Sequence, residues 1–171
     1  MIIVDLPERH PAADSVRQSV RALQAFVARV RAAISLAGTV SVALVSDREI
    51  RKLNRNFRGL DHATDVLSFP AAVLPPEISS SSHAQRQVGG DLAISVDAAI
   101  RQANRFGHTL QTELKILLLH GLLHLSGQDH ETDHGEMDAA EEQLRRRFRL
   151  PAALIARTSR PETNARSAGR S

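Results

Sequence analysis

Three of the eight histidines in this chain are spaced to hold one metal ion. His120, His124 and His130 fall in the pattern H-x-x-x-H-x-x-G-x-x-H, with Gly127 between the last two. An α-helix turns by about 100° per residue, so residues four apart lie about 40° from each other. On a helix, His120 and His124 therefore share a face. Gly127 tolerates positive φ and lets the chain turn back sharply. That turn brings His130 in as a third ligand. Three neutral imidazoles, with a fourth position left for water, make the donor set of a catalytic zinc, one Zn2+ per chain.

The residues around the trio qualify the chemistry. In zinc peptidases the residue after the first histidine is a glutamate that acts as general base; here it is Gly121. The peptidase base is missing, and a different reaction or a different base is implied. Glu113 lies seven residues before His120 and shares its helix face. It either orients a ligand or lines the cleft, or it is an ordinary solvent-facing residue favoured near a helix start by the dipole. Asp129 either hydrogen-bonds a ligand imidazole or caps the next helix, in a structural or supporting role. His134 is a rival third ligand, but it falls inside the expected final helix and out of register with Gly127. His10, His62, His83 and His108 have no such partners and read as surface or loop residues. Arg58 opens a second polar cluster that runs to Phe69. A guanidinium beside a metal and its water suits phosphoryl chemistry, because it neutralises charge on a phosphate oxygen. Nothing in the sequence alone brings Arg58 to the metal.

The elements that must position these groups show as hydrophobic periodicity. Residues 1–6 read as a strand. From Pro11 to about Ala37, Val16, Val20, Leu23, Val27, Val30 and Ile34 recur at spacings of three and four, which predicts a long helix stopped by Gly38. Thr39 to Val45 alternates and is rich in β-branched residues, a strand. Ser46 or Asp47 caps a helix to about Phe57. A polar loop from Arg58 to Asp65 leads to a short strand, Val66 to Phe69, ended by Pro70. Residues 71–88, with Pro75-Pro76 and the serines at 79–82, read as a flexible loop. Gly89-Gly90-Asp91 opens a strand to Ser95, and a helix follows from Val96 to Phe106, closed by Gly107. The histidine helix starts near Thr109 or Leu110 and ends at Ser126. A last helix runs from about Glu131 to Phe148. The expected architecture is one α+β domain, a small mixed sheet of about four strands packed with about five helices.

The 171 residues suffice for one domain with a real core, and a 42% apolar content fits a soluble globular chain. The domain is expected over 1–150, with 151–171 as a disordered basic tail. The absence of cysteine rules out disulfides and thiolate ligands, so any metal is held by histidine or carboxylate. Residues 1–5 have no basic region before their short apolar run, which excludes a signal peptide. No apolar run nears the roughly 20 residues that span a bilayer. A cytoplasmic location away from membranes is the expectation. The net charge is only +3, yet Lys52 and Lys115 are the only lysines. Arginine suits bidentate phosphate contact, and it equally serves to solvate helix faces. All five aromatic residues are phenylalanine, which speaks against the usual base-stacking platform.

Three blocks resemble the YbeY family, the bacterial endoribonucleases of rRNA maturation. The first is Leu53-Asn54-Arg55-Asn56-Phe57-Arg58, continuing to Thr64-Asp65-Val66-Leu67-Ser68-Phe69-Pro70. The second is Gly90-Asp91-Leu92-Ala93-Ile94-Ser95. The third runs from Glu113 through His120 and His124 to His130. Together they span about residues 40–147 in the expected order. The resemblance implies a single-domain α+β metalloprotein with zinc on His120, His124 and His130, and Arg58 as the arginine associated with catalysis or RNA binding. The implied activity is single-strand endoribonuclease cleavage in 3′-end maturation of small-subunit rRNA and in ribosome quality control. RNA, the ribosome and ribosome-associated proteins are the implied partners. Gln128 departs from the family, which usually has tyrosine there. Two rival readings remain: a zinc metallopeptidase, and a non-catalytic ribosome-assembly factor whose zinc is structural.

Overall fold

The computed structural model describes residues 1–71, 88–127 and 135–151. The elements run β1 (Ile2–Asp5), α1 (Ala13–Ala33), β2 (Ala37–Val45), α2 (Asp47–Arg58), β3 (Val66–Pro70), β4 (Val88–Ser95), α3 (Val96–Phe106), α4 (Leu110–Leu125) and α5 (Glu136–Phe148). The strands form one sheet in the order β1-β2-β4-β3. Strands β1, β2 and β4 are parallel, and β3 runs antiparallel to β4 at one edge of the sheet. This is the expected α+β domain with a small mixed sheet.

Alternation along the strands sorts side chains to two faces. Val40, Val42, Leu44, Leu92 and Ile94 form one face and join the main core with α1, α3, α4 and α5. Val45, Leu67 and Ala93 form the other and pack with Ile50 of α2. Helices α2 and α4 therefore lie on opposite faces of the sheet. Helix α4 is apolar nearly all round, with Leu114, Leu117, Leu118, Leu119, Leu122 and Leu123 fully buried. A helix of that kind belongs at the centre of a core. It packs against α1, α3, α5, β3 and β4.

Local signals placed most helix ends. Ser46 caps α2 by accepting from the Glu49 N–H, and Gly59, at φ 72°, closes it. Ser95 and Gly107 do the same for α3. Thr109 caps α4, which starts where expected, at Leu110. Two boundaries differ from expectation. Helix α1 stops at Ala33, and Ser35 takes the left-handed turn at φ 55°. Gly38, expected to stop that helix, sits within β2 at φ 75°, where the register with β4 shifts between Ala37 and Val40. Its freedom serves a bulge instead. Helix α5 begins at Glu136 rather than near Glu131, because Gly135 at φ 91° breaks any continuous helix. The serine stretch at 79–82 and the tail beyond Pro151 lie outside the described residues.

Candidate metal centre

The histidine pair sits in the last two turns of α4. His120 is buried and His124 is partly exposed, so the pair is open to solvent on the His124 side. Their Nε2 atoms approach to 3.1 Å, and the rings stand nearly perpendicular with centroids 4.7 Å apart. Two nitrogens on one tetrahedral zinc at about 2.05 Å stand roughly 3.3 Å apart. The two imidazoles fit that spacing with almost no adjustment. Gly127 follows at φ 85°, the sharp turn expected after the helix.

A residue that sequence reasoning missed holds His120 in place. Glu141 of α5 lies 2.9 Å from His120 Nδ1. Burial alone would push the Glu141 carboxyl up. The hydrogen bond from His120 and the charge of Arg145 overrule it and hold its pKa at about 2. An ionised carboxylate only accepts, so Nδ1 carries the proton and His120 Nε2 presents its lone pair toward His124. A carboxylate behind a ligating histidine is the usual support of a zinc site, fixing tautomer and ring orientation. Arg145, itself 1% exposed, donates to Glu141 from Nε at 2.8 Å and again from Nη2. Arg145 Nη1 also donates to the Pro151 carbonyl. Nothing in the sequence sets Glu141 and Arg145, four apart, off from the exposed ion pairs common on helices.

Gly121 explains why no peptidase glutamate follows His120. A Cβ there would come 2.9 Å from Leu92 Cδ2 and 3.2 Å from Val66 Cγ2. That position faces the sheet and not the histidine pair, and a side chain there would have to push Leu92 and Val66 aside.

The other expected site residues distribute differently. Glu113 is fully buried, 3.2 Å from His108. The helix rise puts it about 10 Å along the axis from His120, and its ion pair is with another residue. It is not the solvent-facing residue that its place near a helix start suggested. His108 and His10 lie in connections, as expected, but not at the surface; their side chains are 12% and 6% exposed. His10 pairs with Asp97 at 2.9 Å. His62 is exposed. His83, Gln128, Asp129, His130 and His134 lie outside the described residues. Among the described residues, no third metal-binding group joins the histidine pair.

Arg58 is exposed in the last turn of α2, on the other face of the sheet from α4. The two helices nevertheless reach the same end of edge strand β3. The ring of Phe57 on α2 meets Phe69 of β3 at 5.1 Å. Residue 70 of β3 pairs with Gly90, and the Cβ position of Gly90 lies 3.0 Å from Leu125, the residue after His124. Helix α2 at Phe57 and helix α4 at Leu125 thus meet one end of β3 from opposite sides.

A family model described as Endoribonuclease YbeY matches residues 8–149. The chain belongs to the YbeY family. The Endoribonuclease YbeY of Koribacter versatilis is 47% identical over 147 residues, covering 86% of this chain and 89% of that one. The Endoribonuclease YbeY of Helicobacter pylori strain 26695 is 42% identical over 119 residues, covering 70% and 78%. The solution structure of a Thermotoga maritima protein matches with a TM-score of 0.52 at 25% identity, over 97% of this chain and 100% of that one. The first two blocks that carry the YbeY resemblance lie on α2 and β3 and on β4, and the third lies on α4 as far as Leu125.

Proposed function

We propose that this chain is a metal-dependent, single-strand endoribonuclease that matures the 3′ end of small-subunit rRNA and serves ribosome quality control. The observation that carries it is the convergence of His120 and His124, with Glu141 behind His120, in a chain of the YbeY family. Zinc is the proposed metal, on His120, His124 and His130, one ion per chain. When bound there, zinc supplies Lewis acidity toward a phosphate oxygen and lowers the pKa of water. Glu141 fixes the His120 tautomer, and Asp129 is assigned a supporting place beside His130. Glu113, bonded to His108, serves the fold at the start of α4. Arg58 receives the phosphate of an RNA strand passing the end of β3 and neutralises its charge. Ribosome-associated proteins are proposed as further partners, in the cytoplasm. Among the described residues no helix is long and apolar enough to cross a membrane.

The setting of Gly121 weighs against the peptidase reading, because a glutamate there would be aimed at the sheet, against Leu92 and Val66, and not at the histidine pair. The test is cleavage of 3′-extended small-subunit rRNA by wild type, His124→Ala and Arg58→Ala, purified identically. Wild type alone is expected to cut, and a chelator to stop it. Losing one transition-state contact of the Arg58 kind costs on the order of 10²–10³ in rate, with zinc content unchanged. Equal cutting by all three proteins would mean a contaminating nuclease and remove the reading. A folded, zinc-loaded wild type that leaves RNA intact would favour an assembly factor with structural zinc. In that case His124→Ala should unfold.

A further inference from the structure

Among the described residues the large apolar side chains left exposed are Met1, Ile3, Phe57 and Leu60. Phe57 stands out by its surroundings. It is 67% exposed, yet its ring is held edge-on by Phe69 of β3, with centroids 5.1 Å apart and planes at 67°. The turn that follows it is tied back to α2: Asn54, 2% exposed, donates to the His62 carbonyl, and Arg51 makes a two-pronged contact with Asp61. The exposed ring is therefore presented on a fixed mount rather than on a loose loop.

The charges beside it are selective. Asp61 engages Arg51 at 2.9 Å and Arg55 at 3.9 Å. Arg58, the residue after Phe57, has no ion-pair partner among the described residues. An open aromatic face beside an uncommitted guanidinium matches a nucleotide, with its base on the ring and its phosphate at the cation. The location fits as well. Phe57 and Phe69 stand at the end of β3 that α4 reaches with Leu125. Among the described residues no strand pairs with the outer edge of β3. Five phenylalanines cannot make an extended stacking surface; one suffices for a single base.

We propose that Phe57, backed by Phe69, stacks on one nucleobase of the single-stranded RNA substrate and sets where the strand enters the site. This rests on the endoribonuclease reading. A duplex hides its base faces, so the same contact selects single strands.

The chain contains no tryptophan or tyrosine, so Phe57→Trp installs a lone indole reporter at the spot in question. The probe is a single-stranded oligoadenylate with 2′-O-methyl ribose. Indole emission of the Phe57→Trp variant should be quenched on titration, with an affinity near that of wild type. A duplex of the same length should leave the emission unchanged. Phe57→Ala should weaken binding of the probe by about 5- to 150-fold, the range for losing one stacked base. On a cleavable strand it should raise KM by that factor, with a far smaller change in kcat. Thermal melts of both variants should match wild type, since the ring is mostly exposed. Full binding without quenching, or wild-type affinity and KM in Phe57→Ala, overturns the stacking assignment and leaves the nuclease reading intact. A wild type that neither binds nor cuts single-stranded RNA overturns both.

Discussion

Helix α4 has a histidine–carboxylate contact at each end. Near its start, Glu113 meets His108 at 3.2 Å; near its finish, His120 meets Glu141 at 2.9 Å. Both carboxylates are almost completely buried. The first pair is local, five residues apart, and closes the connection from α3. The second joins α4 to α5 across 21 residues. It leaves the far nitrogen of His120 aimed at a second imidazole one turn on, just before the chain turns at Gly127. An imidazole on a buried carboxylate is thus not a metal site by itself. What sets the His120 end apart is the second imidazole, His124, with its Nε2 3.1 Å away. A third pair, His10 with Asp97, ties the segment before α1 to α3, and among the described residues no second histidine joins it.

The comparison breaks most readily at Glu141. Glu141→Gln should lower zinc affinity by about 10- to 100-fold. It also strands the buried Arg145 without its counter-charge, which costs about 3–5 kcal/mol. Zinc titration against a competing chelator and urea unfolding in excess chelator read the two effects separately. Glu141→Gln combined with Arg145→Met should recover much of the stability but not the affinity. Recovery of both would make Glu141 merely a partner of Arg145.

Glu113→Gln should behave as the counterpart. It weakens a buried hydrogen bond to a charged group, at about 1–3 kcal/mol, and should leave zinc affinity at the wild-type value. A loss of affinity in this variant would erase the distinction between the two ends of the helix. The same titrations decide it.

Gly121→Ala tests the seat of the helix on the sheet. Pushing Leu92 and Val66 aside costs about 1–3 kcal/mol, and replacing a helical glycine returns about 1 kcal/mol. A net loss of at most about 2 kcal/mol is expected in urea unfolding. A gain would mean that the contact with β3 and β4 is looser than the 2.9 Å approach to Leu92 indicates.

The smallest effect belongs to Asp97. Burial pushes its carboxyl up, but the Asp47 N–H and His10 hold it below its ordinary 3.8. A depressed carboxyl stabilises the fold above its ordinary value and loses that contribution as pH falls through its folded pKa. Asp97→Asn should therefore cost about 1 kcal/mol at about pH 7. The gap to wild type should narrow once the pH drops below 3.8. A pH-independent gap would mean that the carboxylate charge contributes nothing there.

The sequence by itself determined what depends on neighbours along the chain. Ser46 and Gly59 bound α2, and Ser95 and Gly107 bound α3, because caps and left-handed turns act within a few residues. His120 and His124 share a face because four residues make about one turn. Gly38 shows the limit even there: a glycine after an apolar stripe reads as a stop, and only the pairing of β2 with β4 turned it into a bulge. Tertiary structure alone decided the contacts made across long separations. Glu141 reaches His120 only because α5 docks on α4. Phe57 finds Phe69 only because α2 covers the far face of the sheet. His10 looks like a loop residue and is covered because Asp97 of α3, 87 residues away, meets it. Periodicity records which face of an element is apolar, but not which element will cover it. The partners of a buried polar group are fixed by that second choice.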